Sequence, residues 1–471
     1  MENLKRPTQS ELDAMTHAEK DALILKLFDI IERLDARITE LENKAKKNSK
    51  NSSKPPSSDG LKKGSSQPRE PGKNPSGGQK GHKGVTLQMT DTPDVVETLF
   101  PETKICGCGN LLSTENASLK ERRQQIEIPE PQTIVTEYRQ MAINCDCGLQ
   151  HLGQFPASVS PNVSYGPRLK AYAVGLVNGH FIALERTSEI VKDQYGVQPS
   201  SGSIQKWSDN AAKQLEPSYQ EIATHIQQAE LAHFDESGLR VNGALHWLHV
   251  ATTETEVHYS YHQKRGQDGI NAAGILPNFK GIAVHDHWHP YFSYQDCLHA
   301  LCNAHHLRDL YYFEQTTAET WPVALRELLI EAKKKVATAK ENQQTALSTS
   351  DLDDLINRYD QHIEAGLKAH PKQKPDKKKR GRVKQSPETN LLLRLKDFKT
   401  EVLRFATDFK VPFTNNQAER FVRPVKVKLK MTGGFRATAG SKSFCIIRSI
   451  WETNKLNQIN PFEQLRLVFM G

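Results

Sequence analysis

The sequence predicts a multidomain α/β protein. A mixed sheet carries the chemistry, a helical insertion interrupts it, and a coiled coil, a small cysteine-paired module and a helical region precede it. Three observations carry that prediction. At 471 residues the chain is longer than one hydrophobic core serves. Between residues 230 and 301, short aromatic and β-branched runs alternate with helical patterns, the mark of a mixed sheet. Near the start, a heptad-spaced apolar stripe stands apart from both.

That stripe is Ile24, Leu27, Ile31, Leu34, Ile38 and Leu41, spaced 3, 4, 3, 4, 3 with charges between. β-Branched residues fall at one core position and Leu at the other, which favours a parallel two-stranded coiled coil. Residues 1–45 are therefore expected to form a helix that makes a homodimer, or a higher oligomer, through residues 24–41. A helix packed on its own domain is the alternative. From 46 to 90 the composition changes to Lys, Ser, Pro and Gly, from which no core can form, so a flexible basic linker is expected.

Residues 91–160 hold CGCG at 106–109 and CDCG at 145–148. Cys106, Cys108, Cys145 and Cys147 are candidate thiolate ligands for a structural Zn²⁺ in a small zinc-ribbon-like module, each pair on a Gly-containing knuckle. One residue separates each pair, where ribbons ordinarily have two. The intervening QQIEIP and TIVTEYRQMAI runs are expected to be strands. Residues 165–227 read as helices, with a turn at Gly196 and Pro199 and a Ser-capped helix from about 201, a helix-turn-helix-like DNA-binding region.

From 228 to 312 the order is three meandering strands (LAHFDES, LHWLHVAT, VHYSYHQ), a helix, the strands GIAVHD and CLHALCN, then a helix from NAHHL. Residues 313–408 read as a helical insertion around the basic loop KQKPDKKKRGRVK. Residues 409–471 carry a cationic helix and the tail.

Composition bounds the partners. Hydrophobic residues are 37% and charged residues 25% of the chain, which suits a soluble protein with some disordered connection. No run approaches the roughly 18 apolar residues of a membrane span, and the first residues lack signal-peptide order. Seven cysteines do not make a disulfide framework at this length, so a cytoplasmic protein is expected. The net charge of +8 is concentrated in three blocks. Between 46 and 84, ten basic residues face Asp59 and Glu70; the second block is the insertion loop and the third follows Glu419. Separated basic blocks point to nucleic acid rather than membrane.

The third block raises the chemical question. TNNQAERFVRPVKVKLK at 414–430 has one acid, Glu419, among Arg420, Arg423, Lys426, Lys428 and Lys430, with Arg436 just beyond. A salt bridge to Arg420 or Arg423 would be the plain reading. Asp235 in HFDES and Asp286 in HDHWH stand at strand ends, where side chains from separate segments converge. Alone, each suits a turn or cap. Joined to Glu419, they make three oxygen ligands suited to two Mg²⁺ (or Mn²⁺) ions and in-line phosphoryl transfer. His305 and Arg308, at a helix start, are further candidates for phosphate contact. Pro424 is expected to bend or end the helix bearing Glu419. His285, His287 and His289 offer a competing zinc hydrolase cluster.

NSSKPPSSDG at 51–60, GGQKGHKG at 77–84, the cysteine pairs, HFDESG at 233–238, CNAHHLRDL at 302–310 and NNQAERFVRPVKVKLKMTGGF at 415–435 follow one another in order. As a set, covering nearly the whole chain, they resemble the transposases of the insertion-sequence 66 family. The resemblance implies a ribonuclease H-like catalytic core with a DDE triad, interrupted by the helical insertion. Carried over residue by residue, Asp235 and Asp286 are the aspartates and Glu419 the glutamate. It implies double-stranded DNA as partner and substrate, strand cleavage and strand transfer, and accessory proteins from the same element. Two departures stand out: the second aspartate is flanked by histidines rather than followed by Gly-Tyr, and Thr414 replaces the usual Asp. A non-catalytic repressor derived from a transposase is the competing class.

Overall fold

A computed structural model of the chain describes residues 7–46, 87–159, 162–373 and 383–470. The motifs at 51–60 and 77–84, most of the basic linker and residues 374–382 of the insertion loop lie outside the described residues. Gln67–Thr136 form one unit; Met1–Ser66 with Glu137–Gly471 form another.

Helix α1 (Gln9–Ala14) begins with a capping box in which Thr8 and Glu11 satisfy each other's backbone amides. Helix α2 (His17–Lys46) runs unbroken through all three heptads, and every residue of the Ile24–Leu41 stripe remains exposed on it. Among the described residues no helix is long and apolar enough to cross a membrane.

Residues 87–157 are exposed throughout. The strands there are β1 (Ala142–Asn144) and β2 (Gln150–Leu152), an antiparallel hairpin, with one isolated antiparallel bridge between Ile105 and Leu111. The expected strands over QQIEIP and TIVTEYRQ do not form: neither run finds a neighbouring ladder among the described residues. Each cysteine pair, taken alone, occupies a tight loop of the same design. The amide of Cys106 donates to the Asn110 carbonyl and that of Gly109 to Cys106; Cys145, Leu149 and Gly148 repeat the pattern, with distances of 2.8–2.9 Å. Gly109 and Gly148 both sit at φ +89°, which a side chain would strain.

Helices α3 (Pro167–Asn178), α4 (Leu184–Tyr195) and α5 (Ser201–Gln228) follow. Gly196 ends α4 in the left-handed region (φ 70°), and the Ser200 side chain caps α5, as expected. These helices do not own a separate core. Ala173, Val174, Ile204 and Trp207 pack with Ile446, Ile447, Trp451 and Leu465 of α13 (Thr438–Leu456) and α14 (Pro461–Met470). Buried Arg448 of α13 pairs with Glu452 and donates to the Gly179 carbonyl (2.6 Å) at the end of α3. The C-terminal tail therefore completes the helical region's core, 240 or so residues downstream of it.

The sheet holds β3 (Leu231–Val241), β4 (Ala244–Thr252), β5 (Val257–His262), β6 (Ile282–His285) and β7 (Leu298–Leu301), in the order β5-β4-β3-β6-β7. The first three form an antiparallel meander; β6 and β7 run parallel to β3. Asn242 and Gly243, both at positive φ, close the β3–β4 hairpin, which explains the VNGA signal. Helix α6 (Gln267–Ala273) crosses from β5 towards β6, and α7 (Asn303–Thr316) leaves β7. The insertion is α8 (Trp321–Glu341), α9 (Thr349–Ala369), α10 (Pro387–Asp397) and α11 (Lys399–Thr407). It is packed about Leu325, Tyr359, Leu392 and Leu395, and joined to the sheet at Val284 and Ala300. Helix α12 (Asn416–Thr432) then returns across the sheet.

Candidate active site

Strand register brings the two aspartates together. β3 and β6 are parallel with His233 opposite Val284, so two further residues along set Asp235 beside Asp286, just past the end of β6. Alternation places Asp235 on the sheet face of Leu239 and Val241, which pack against Phe421, Val422 and Val425 of α12. Glu236 takes the other face. There it accepts from Arg265 (2.6 and 2.9 Å) and from the Tyr291 hydroxyl, while the Arg265 guanidinium lies over Trp247 and Trp288 at 4.9 and 4.2 Å. The acidic pair in HFDES thus divides: one carboxyl for the face under α12, one for a buried ion network.

Glu419 reaches the same face from the first turn of α12, where the helix dipole favours an acid. Asn415, the residue before the helix, fixes that turn. Its Nδ2 donates to the Phe234 carbonyl (2.7 Å), its Oδ1 accepts from buried His233 (2.8 Å), and its amide donates to Cys302 Sγ (3.1 Å). One side chain and its amide therefore tie the Glu419 helix to β3 and to the end of β7. Gly434 finishes the placement: Phe435 exchanges backbone hydrogen bonds with Arg240 and Asn242 (2.8 and 2.7 Å). A Cβ on Gly434 would lie 2.5 Å from the Arg240 carbonyl oxygen.

The expected end of the helix at Pro424 is corrected: α12 continues through it to Thr432. Phe421, Val422 and Val425 bury the flanking turns, and the Tyr259 hydroxyl donates to the Phe421 carbonyl (2.9 Å). Tertiary contacts outweigh the one missing donor.

Electrostatics register the convergence. Burial pushes the Asp235 carboxyl well above the usual range, and the charges of Glu236, Asp286 and Glu419 push in the same direction, against the Glu236 amide that donates to it. Lys426 is held down by burial and feels Asp235 as its opposing charge. Asp286 accepts from the Trp288 amide (2.8 Å). Glu419 lies 3.9 Å from Arg423, so the plain salt-bridge reading is also partly realised, at a distance where exposed pairs contribute little.

A family model described as "Transposase IS66 family" matches residues 162–443, well over half of the chain. The chain belongs to that family. The matched span begins before α3 and ends within α13, so it contains the sheet, the insertion and all three acids. A second model, of a family of unknown function, matches residues 4–88. No curated protein matches the chain.

The basic residues singled out in the sequence differ in exposure. Arg420, Arg423, Lys430 and Arg436 are exposed; Lys426, His305 and Arg308 are half-buried. Lys428 is a correction. It is 6% exposed, its Nζ lies 5.0 and 5.1 Å from the Phe435 and Phe444 ring centres, and burial, with Arg448 nearby, brings its ammonium down to about 8. At helical spacing it falls on the inward face with Val425, where no phosphate reaches.

The HDHWH histidines do not gather. Buried His285 donates to the Asp286 carbonyl and bonds His299 (3.0 Å), His287 packs edge-on to Phe398, and His289 is exposed. Among the described residues, the group of three ligand atoms all within 4.8 Å of one another is instead Cys302, His305 and Glu419. Sequence reasoning assigned no role to Asn415, Cys302, Glu236, Arg265 or Tyr291. The only signals were Asn415 inside NNQAER and the Cys-x-x-His spacing of CNAH.

Proposed function

We propose that the chain cleaves DNA at the ends of an insertion sequence and joins them to target DNA. Asp235, Asp286 and Glu419 are the acids of a ribonuclease H-like DDE site. The observation that carries this reading is the meeting of parallel strands β3 and β6 under the first turn of α12. The sheet order, with the long β3 between antiparallel β4 and parallel β6, supports a ribonuclease H-like core.

Three carboxyls, one of them buried and pushed towards its neutral form by the others, are a donor set that a hard cation stabilises. They would hold two Mg²⁺ or Mn²⁺ ions, which supply activation of an attacking oxygen and stabilisation of the leaving one. Asp235 loses its proton before it can ligate, so the site strengthens with rising pH. Asn415 holds Glu419 in register with β3. Arg420, Arg423, Lys430 and Arg436, with Lys426 and Arg308 nearer the sheet, neutralise phosphates of the element end and target, and His305 offers them a hydrogen bond rather than a charge. The freed 3′-hydroxyl then attacks a target phosphodiester.

The α2 stripe is the proposed homodimer seam, with accessory proteins of the same element as further partners. Structural Zn²⁺ on Cys106, Cys108, Cys145 and Cys147 is supported by the shape of each loop and by its chemistry. Amides and the neighbouring thiol hold Cys108 and Cys145 below the usual thiol range, favouring the thiolate ligand.

The test is strand cleavage of the element's own end with Mg²⁺, comparing the unmodified chain with Glu419→Gln. Cleavage is expected to fall about a hundred- to a thousandfold while DNA binding persists. Equal nicking by both removes Glu419 from the site. Binding without nicking by either chain points to the repressor.

A further inference from the structure

Glu419 also faces a second set of donors. Its Oε1 lies 3.9 Å from Cys302 Sγ and 3.9 Å from His305 Nδ1. Cys302 follows β7 as the residue before α7, and His305 is three residues on, so the two point to one side of the helix start. His305 Nδ1 is buried and has no hydrogen-bond partner, although such atoms are ordinarily satisfied. The Cys302 sulfur is held in place by the Asn415 amide. Glu419 and His305 keep 17% and 20% of their side-chain surface open, leaving a way in.

We infer that Cys302, His305 and Glu419 form a binding site for a zinc-class divalent ion, distinct from the three-carboxylate site and competing with it for Glu419. A sulfur, an imidazole nitrogen and a carboxylate oxygen suit Zn²⁺ or Co²⁺, whereas Mg²⁺ takes oxygen ligands. Metal–ligand bonds of about 2.0–2.3 Å in a tetrahedral array put ligand atoms roughly 3.3–3.6 Å apart. The sulfur and the nitrogen, each 3.9 Å from Glu419 and within 4.8 Å of one another, therefore close in by about half to one ångström, which side-chain rotation supplies. On binding, Cys302 releases its thiol proton to solvent and ligates as thiolate. Three protein ligands leave a fourth position open. Because the ion draws Glu419 towards Cys302, it withdraws that carboxylate from Asp235 and Asp286, so zinc-class ions antagonise Mg²⁺-supported cleavage. That last consequence rests on the proposed function; the site itself does not.

The probe is Co²⁺, titrated into the full-length chain and followed by equilibrium dialysis and the sulfur-to-cobalt charge-transfer band. Cys302→Ser and His305→Gln are each expected to bind about one equivalent less than the unmodified chain, with loss of charge-transfer intensity in Cys302→Ser. Circular dichroism of the metal-free variants checks folding, and the half-buried His305 keeps the test available should Cys302→Ser not fold. Unchanged stoichiometry in both variants overturns the site. Asp235→Asn separates the two ideas: it should keep the additional cobalt while losing cleavage. Retained cleavage there would sink the triad and leave the cobalt result standing.

Discussion

Residues 87–157 and the sheet core carry similar apolar runs and meet opposite fates. Ile126, Ile128, Ile134 and Val135 sit in β-favouring stretches like those of β3 and β4, yet are 76–93% exposed, whereas Leu239, Leu248 and Val250 are at most 2% exposed. The difference is not propensity. β3 has a strand on each side and helices over both faces; the 120–141 stretch has no ladder partner among the described residues. β-Propensity measures fitness for a half-buried pleated surface, and it has no effect where that surface is missing.

The sharpest way to break this comparison is limited proteolysis of the intact protein. Cleavage within 87–157 should run at least about a hundredfold faster than within β3–β7, because little apolar burial opposes local opening there. Zn²⁺ should slow it if the cysteine loops ligate the ion. Equal rates would mean that the exposed stretch is covered in solution.

Asn415→Ala sharpens the core side. It strands a buried carbonyl and His233, which should lower stability by about 1–3 kcal/mol. By loosening the turn that carries Glu419, it should reduce cleavage about ten- to a hundredfold. Denaturant unfolding and single-turnover nicking measure the two effects, and intact cleavage would show that Glu419 needs no such anchor.

The smallest effect is in pH. Burial pushes His249 down to about 4 and His258 to about 3. Above about 6.5, both states are neutral and this contribution is complete. As pH falls from 6.5 towards 3–4, the unfolded chain takes up protons that the folded core refuses, and stability is lost. Each histidine contributes at most about 1.4 kcal/mol per pH unit. The melting temperature should therefore drop between pH 7.5 and 5.5, and drop less in His258→Phe. Parallel losses in the two proteins would show that His258 titrates freely.

Much of the candidate site was legible from residues alone. Asp235, Asp286 and Glu419 stand out as acids at strand ends or among cations, and the strand order from LAHFDES to CLHALCN matches the sheet. Lys428 was not separable from Lys426 and Lys430, because charge in a run does not reveal which residue points inward. Pro424 does not end its helix: its local cost was legible and the packing that offsets it was not. Asn415 looks like any helix-start asparagine until His233, Phe234 and Cys302 surround it.

Local chemistry by itself determined most helices, their caps and turns, the sheet strands from LAHFDES to CLHALCN and the heptad stripe, since each depends on neighbours a few residues apart; it did not determine whether a β-favouring run finds a partner. Tertiary structure alone decided that the tail's α13 and α14 complete the core of α3–α5. It also decided that Glu419 faces a cysteine and a histidine as well as the aspartates, and that one lysine of the cationic run is buried. Those outcomes depend on contacts between segments tens to hundreds of residues apart, whose free energy is set by what lies across the interface rather than by what lies next in the chain.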